Sequence, residues 1–206
     1  MCMHTRTKIV AAAVLWALAA TPLLADEIAD FMEKGETAFN RADIVDALSW
    51  YRKAAEAGHA PAQVRLAQLL DYSEQNEAAV GWYRKAADQG YAPALYELGT
   101  MYAAGEGIPE DDAKAVELFS QAADQGHLQA LRILAAAYEQ GGLKLDIDHA
   151  RAVAFLERGT ELGDVASTRR LANAYSKGEL SLAADPARAQ ELLARIGEKP
   201  GKERKK

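Results

Sequence analysis

Of the side chains able to do chemistry, this 206-residue chain carries four histidines, thirty carboxylates and one cysteine. His59 and His127 each follow a glycine, in two copies of one short pattern, and Tyr91 and Asp164 hold the same slot in two more copies. A slot that accepts His, Tyr or Asp reads as a turn position rather than a proton-transfer site. His149 stands beside Asp146 and Asp148, a grouping that suggests a metal. At the start of a helix the same aspartates read as caps, which accept hydrogen bonds from the free N–H groups of the first turn. No serine–histidine–acid order or nucleophile elbow is present. Gly105-Glu106-Gly107 follows no strand, so it is not a dinucleotide fingerprint. The carboxylates read as spread over helix surfaces rather than paired in a cleft. The sequence thus supplies no catalytic residue, no metal ligand and no cofactor site. Cys2 alone excludes an internal disulfide and a cysteine zinc cluster. A net charge of −6 and a pI near 5.3 argue against nucleic acid as the main partner.

The elements around these residues repeat. Trp82-Tyr83-Arg84-Lys85-Ala86-Ala87-Asp88-Gln89-Gly90 is copied upstream at Trp50–Gly58 and, more loosely, at Leu118–Gly126, with a worn copy ending at Gly163. From Ala47 to Gly58, Ala79 to Gly90, Ala115 to Gly126 and Ala152 to Gly163 the separation is eleven residues each time. Such a glycine at a helix C-terminus permits the left-handed backbone that reverses the chain. A new helix follows, with Pro61 or Pro93 in its first turn, where a missing N–H does no harm. Each new helix shares one face: Leu66-Ala67 with Leu70, Leu98-Gly99 with Tyr102, Leu134-Ala135 with Tyr138, and Leu171-Ala172 with Tyr175. These positions read as core, the leucine filling space and the small neighbour admitting a facing helix. Asp43, Asp111, Asp148 and Asp185 read as caps of the second helix in four of the pairs. The loop before that cap varies, and the unit around Ser73-Glu74-Gln75 has lost about four residues of it. The expected architecture is all-α, about five antiparallel helix pairs stacked as one solenoid over residues 26–197, with the first helix over 26–40.

The two ends read differently. Arg6 and Lys8, the apolar run Ile9–Ala20, Thr21-Pro22 and a small residue at Ala25 make residues 1–25 an expected signal peptide. The run is shorter than the roughly 20 residues that span a bilayer, and a retained anchor is the alternative. Cleavage would leave no cysteine and take the net charge from −6 to −8. Residues 198–206 read as a disordered basic tail, because Gly197–Lys206 holds five Lys/Arg against two Glu.

The run from Ala94 to Ala115, Ala-x-x-x-Leu-Gly-x-x-Tyr-x-x-Gly-x-Gly-Ile-x-x-Asp-x-x-Lys-Ala, resembles a Sel1-like repeat, and so does Trp82–Gly90. The resemblance covers roughly residues 26–197. It implies a right-handed superhelix of the tetratricopeptide type, a non-catalytic adaptor for protein–protein contacts without cofactor. Exported bacterial members regulate envelope sensor kinases or serve surface-polysaccharide machinery. A cysteine-rich group is linked to penicillin binding, and this chain lacks those cysteines. In such a stack the first helix of each pair lines the concave face. Two residues before the core leucine, Val64, Tyr96, Arg132 and Arg169 are then expected to point into the groove, with Gln68, Thr100, Ala136 and Asn173 two after it. Tyr72 and Lys177 lie further along. The groove would pass from aromatic near Tyr72 and Tyr96 to basic near Arg132, Arg169 and Lys177. Two arginines on the order of 10 Å apart would suit a carboxylate-bearing segment; the alternative is a pair of ordinary solvated arginines. The sequence reading is therefore an exported adaptor, periplasmic, gripping another envelope protein. The alternatives are a cell-wall or β-lactam-associated repeat enzyme and a secreted host-interaction factor.

Overall fold

The computed structural model describes residues 24–197, so the expected signal segment up to residue 23 and the expected basic tail 198–206 lie outside the described residues. Within them the chain is ten helices and no strand. They are α1 (24–40), α2 (Ile44–Glu56), α3 (Ala60–Tyr72), α4 (Asn76–Ala87), α5 (Ala92–Ala104), α6 (Asp112–Asp124), α7 (Leu128–Gln140), α8 (His149–Glu161), α9 (Val165–Lys177) and α10 (Pro186–Arg195). Each packs on the next, most closely inside the pairs α3/α4, α5/α6, α7/α8 and α9/α10, and α3 also touches α5. This is an all-α repeat solenoid. Helix α1 includes Leu24 and Ala25, so the expected cleavage point falls inside it. No helix among the described residues is long and apolar enough to cross a membrane.

The corners between units have one geometry. Gly58, Gly90, Gly126 and Gly163 have φ of +89°, +74°, +81° and +80°. After each glycine comes an extended residue that opens the next helix: His59, Tyr91, His127 and Asp164, with φ near −70° and ψ of 106–112°. The histidine slot is thus a helix N-cap. His127 accepts from the Ala130 N–H through Nδ1 at 3.4 Å, and Asp164 accepts from the Ser167 N–H at 2.8 Å. Asp43, Asp111, Asp148 and Asp185 cap α2, α6, α8 and α10 through their side chains.

The core runs the length of the stack. Leu66, Leu98, Leu134 and Leu171 are buried with their small neighbours. Tyr102, Tyr138 and Tyr175 sit only half-buried at its rim, and Tyr138 stacks on Phe155 instead. The deepest aromatics come from the second helices: Tyr51, Tyr83 and Phe119, each 1% exposed. Gly35 and Gly99 face two of them, and a methyl group there would meet Tyr51 at 2.7 Å and Phe119 at 2.8 Å. Those glycines are where α1 and α5 admit a ring.

The connections inside pairs come in two kinds. Residues 41–43 and 73–75 are tight three-residue turns, while 105–111, 141–148 and 178–185 are loops of seven or eight residues. The functional geometry starts from this difference.

Candidate functional site

Each long loop leans back on the start of the second helix in the preceding unit. Gly107 lies against the Asn76–Glu77 backbone at the start of α4, where a side chain would collide. Lys144 reaches Asp112 Oδ2 at 2.8 Å and Glu110 Oε1 at 3.3 Å at the start of α6. Ser181 Oγ lies 3.1 Å from His149 Nδ1 at the start of α8. The loops also turn an aliphatic side chain inward: Ile108 and Leu143 pack on the core, and Leu180 is buried.

The start of α2 has no such loop above it, because the connection that would supply one is the three-residue turn 73–75. A groove of about 480 Å³ opens there. Phe39, Ile44, Tyr51 and Leu69 form its apolar wall, and Arg65, Gln68 and Tyr72 border it. Tyr72 is 88% exposed and Phe39 43%, and Val45 beside Ile44 is 78% exposed. Phe39 and Tyr72 thus leave apolar side-chain surface open at this one groove.

Its polar border is asymmetric. Arg65 Nε is held by Glu36 Oε1 at 3.1 Å, so the wall's cation is matched within the chain. Burial and the same Glu36 push the Tyr51 phenol up to about 12. Gln68 Nε2 donates to Glu97 Oε1 at 3.2 Å. Burial raises the Glu97 carboxyl above its usual range, with Asp71 adding to the shift; burial and then Glu106 raise Asp71. Asp71, Glu97 and Glu106 make no ion pair among the described residues, and Glu97 has its hydrogen bond from Gln68.

The residues expected to line a groove fall in separate places. Gln68 and Tyr72 border the groove just described. Val64 is buried at 5% exposure, in the core. Tyr96 stacks on His127 (4.8 Å between ring centres) and lies 5.9 Å from Phe119. Arg132 Nη1 bonds Asp164 Oδ1 at 3.2 Å. Both Tyr96 and Arg132 thus reach the N-cap of the following unit. Burial, and then the Arg132 charge, lower the His127 pKa, which keeps its ring neutral as a cap acceptor. Arg169, Asn173 and Lys177 are exposed on α9; Arg169 interacts with neighbouring groups, and Lys177 Nζ lies 3.5 Å from Glu179 Oε1.

At the step immediately before the core leucine, three units also reach across to a neighbouring first helix. Arg65 meets Glu36, Glu97 meets Gln68, and Arg170 meets Glu139 at 2.6 Å and Glu179 at 2.9 Å. Arg170, absent from the sequence reading, shares a cavity of about 230 Å³ with Arg132, Glu139 and Ala166. The paired occurrence of opposite charges at that step was the signal that could have found it. Among the described residues no group of three His, Cys, Asp or Glu could hold a metal ion.

The Sel1 repeat family model matches five consecutive segments, 28–59, 60–91, 92–127, 128–164 and 165–199. Among solved structures, a Sel1 repeat protein from Oxalobacter formigenes is similar at 28% identity, over 79% of this chain and 64% of that one, with a TM-score of 0.66. The protective antigen c5321 of uropathogenic Escherichia coli, with an SLR fold, is similar at 30% identity, over 82% of this chain and 38% of that one, with a TM-score of 0.73. MamA protein shares the fold at 18% identity and a TM-score of 0.54, over 84% of this chain and 95% of that one. This chain therefore spans about two thirds or less of the first two proteins. No curated protein matches it.

Proposed function

The chain belongs to the Sel1 repeat family, whose repeats generally mediate protein–protein interaction, and on that premise we propose that it is a non-catalytic adaptor of the bacterial cell envelope. It would act by holding a segment of another envelope protein, such as a sensor or a component of the polysaccharide machinery, in the groove over α2. One observation carries this reading: an uncovered apolar berth of about 480 Å³ with Tyr72 at its mouth, at a position that the long-loop units cover. Covering Tyr72 against a partner would contribute on the order of 2 kcal/mol, and Phe39, already more than half covered, about half as much. The envelope location rests on the expected signal in residues 1–25.

The test introduces a photo-crosslinking amino acid at Val45, beside the groove, and compares the captured species with and without Tyr72→Asp. A discrete envelope protein captured only by the parent supports the reading. Capture that Tyr72→Asp leaves unchanged would end it. Fractionation that leaves the whole of the chain in the cytoplasm would end the envelope placement.

A further inference from the structure

We infer that the groove takes a partner segment in which an aliphatic or aromatic side chain stands next to a lysine or arginine. The inference rests on the groove reading and adds the chemistry of what enters it.

The apolar half of the motif comes from the chain's own loops. Ile108, Leu143 and Leu180 each pack inward from a long loop, and the same loops lie over the starts of α4, α6 and α8. Over α2 that side chain is missing, so a partner that supplies it completes a contact the fold makes three times elsewhere. The loop 141–148 even shows the full motif. Leu143 packs on the core while Lys144 beside it pairs with Glu110 and Asp112.

The basic half comes from charge. Asp71 immediately precedes Tyr72, and it is coupled to Glu97 and Glu106. Glu97 is tied to the groove by its bond from Gln68. None of the three has a cationic partner among the described residues, whereas Arg65 on the wall is already matched by Glu36. A lysine or arginine entering at Gln68 on the groove's border meets the Glu97 carboxylate 3.2 Å from its amide, which has no ion pair among the described residues. An acidic segment would meet repulsion there and a guanidinium that is already occupied.

The experiment selects from a phage-displayed library of random nine-residue peptides on the immobilised full chain. Recovered peptides are then measured as dye-labelled synthetic peptides by fluorescence anisotropy. Leucine, isoleucine or phenylalanine beside lysine or arginine should be enriched. Binding of such a peptide should weaken at least about tenfold in Asp71→Asn/Glu97→Gln and on raising salt. The same double variant should melt no lower than the parent, which separates lost binding from lost fold. Enrichment of apolar peptides with no basic bias, or with acidic neighbours, still lost on Tyr72→Asp, overturns this inference and leaves the groove reading standing. Recovery of no peptide sensitive to Tyr72→Asp overturns both. A concentration-dependent dimer abolished by Tyr72→Asp assigns the groove to a second copy and likewise overturns the inference.

Discussion

The two N-terminal units and the three that follow solve the same packing problem in opposite ways. In units three to five, loops of seven or eight residues cover the start of the preceding second helix, and polar pairs stitch the result: Lys144 with Asp112, Arg158 with Asp124, Arg170 with Glu139 and Glu179. In units one and two the three-residue turns leave Phe39, Val45 and Tyr72 uncovered. Inside unit one Phe31 stacks on Trp50 at 5.9 Å and Lys53 lies 3.8 Å from the Trp50 ring centre, while Arg65 joins unit two to Glu36 of unit one. One end of the solenoid is closed on itself and the other is left unfinished. In a fold whose units support each other, the unfinished end is where the proposed partner would complete the packing.

Breaking the closed end should have the largest effect. Gly107→Ala places a methyl group into the Asn76 backbone at a φ of +66°. It should cost about 3 kcal/mol or more, read as a lower urea midpoint. Next comes Arg170→Met, which leaves Glu139 and Glu179 without their shared partner. Arg170 and Glu139 are only 28% and 21% exposed, so a loss of about 1–2 kcal/mol is expected. The comparison can also be sharpened by closing the open end. Replacing residues 73–75 with a copy of 105–111 should seat an isoleucine in the groove. Stability should rise by about 1 kcal/mol, less than full burial yields because the longer loop must be ordered, and peptide binding should vanish. Binding that survives the graft would mean that the groove is not the site.

The smallest effects concern pH. His59 and His127, one in each region, have pKa values lowered from 6.5 by burial. The unfolded chain therefore takes up protons first as pH falls. Their contribution is complete above pH 6.5 and is lost as pH drops through the lower folded values. Glu97 and Asp71 act with the opposite sign. Their carboxyls are raised above 4.5 and 3.8, so the contribution present below those values is lost as pH rises through the folded ones. Glu97→Gln should accordingly raise the melting temperature at pH 7, and His127→Asn should flatten the loss below pH 6.5. Melting curves between pH 4 and 8 check both; a lower melting temperature for Glu97→Gln at pH 7 would mean that the carboxylate is balanced after all.

What the sequence made legible was local. A glycine that needs positive φ, an aspartate three residues before the N–H it caps, and a leucine beside a small residue each announce themselves within one turn of helix. Gly58, Asp111 and Leu66-Ala67 were readable for that reason. The groove was not, because it depends on what a missing loop in one unit would have covered in another. The shortened turn at Ser73-Glu74-Gln75 was visible, but its effect falls on Ile44 and Phe39, some thirty residues upstream. The partners of Tyr96 and Arg132 were hidden for a related reason. Helical spacing orients a side chain to within one position, and the choice between the inner face and the following corner is made by the partner, His127 or Asp164.

Those corner pairs bear on how such a chain can grow. The segment 92–127 contains both Tyr96 and His127, and 128–164 contains both Arg132 and Asp164. Each segment therefore carries the two halves of its own join to whatever follows. A tandem duplication of 128–164 would bring a matched arginine and aspartate with it, so the array can lengthen by copying without a compensating change in its neighbours.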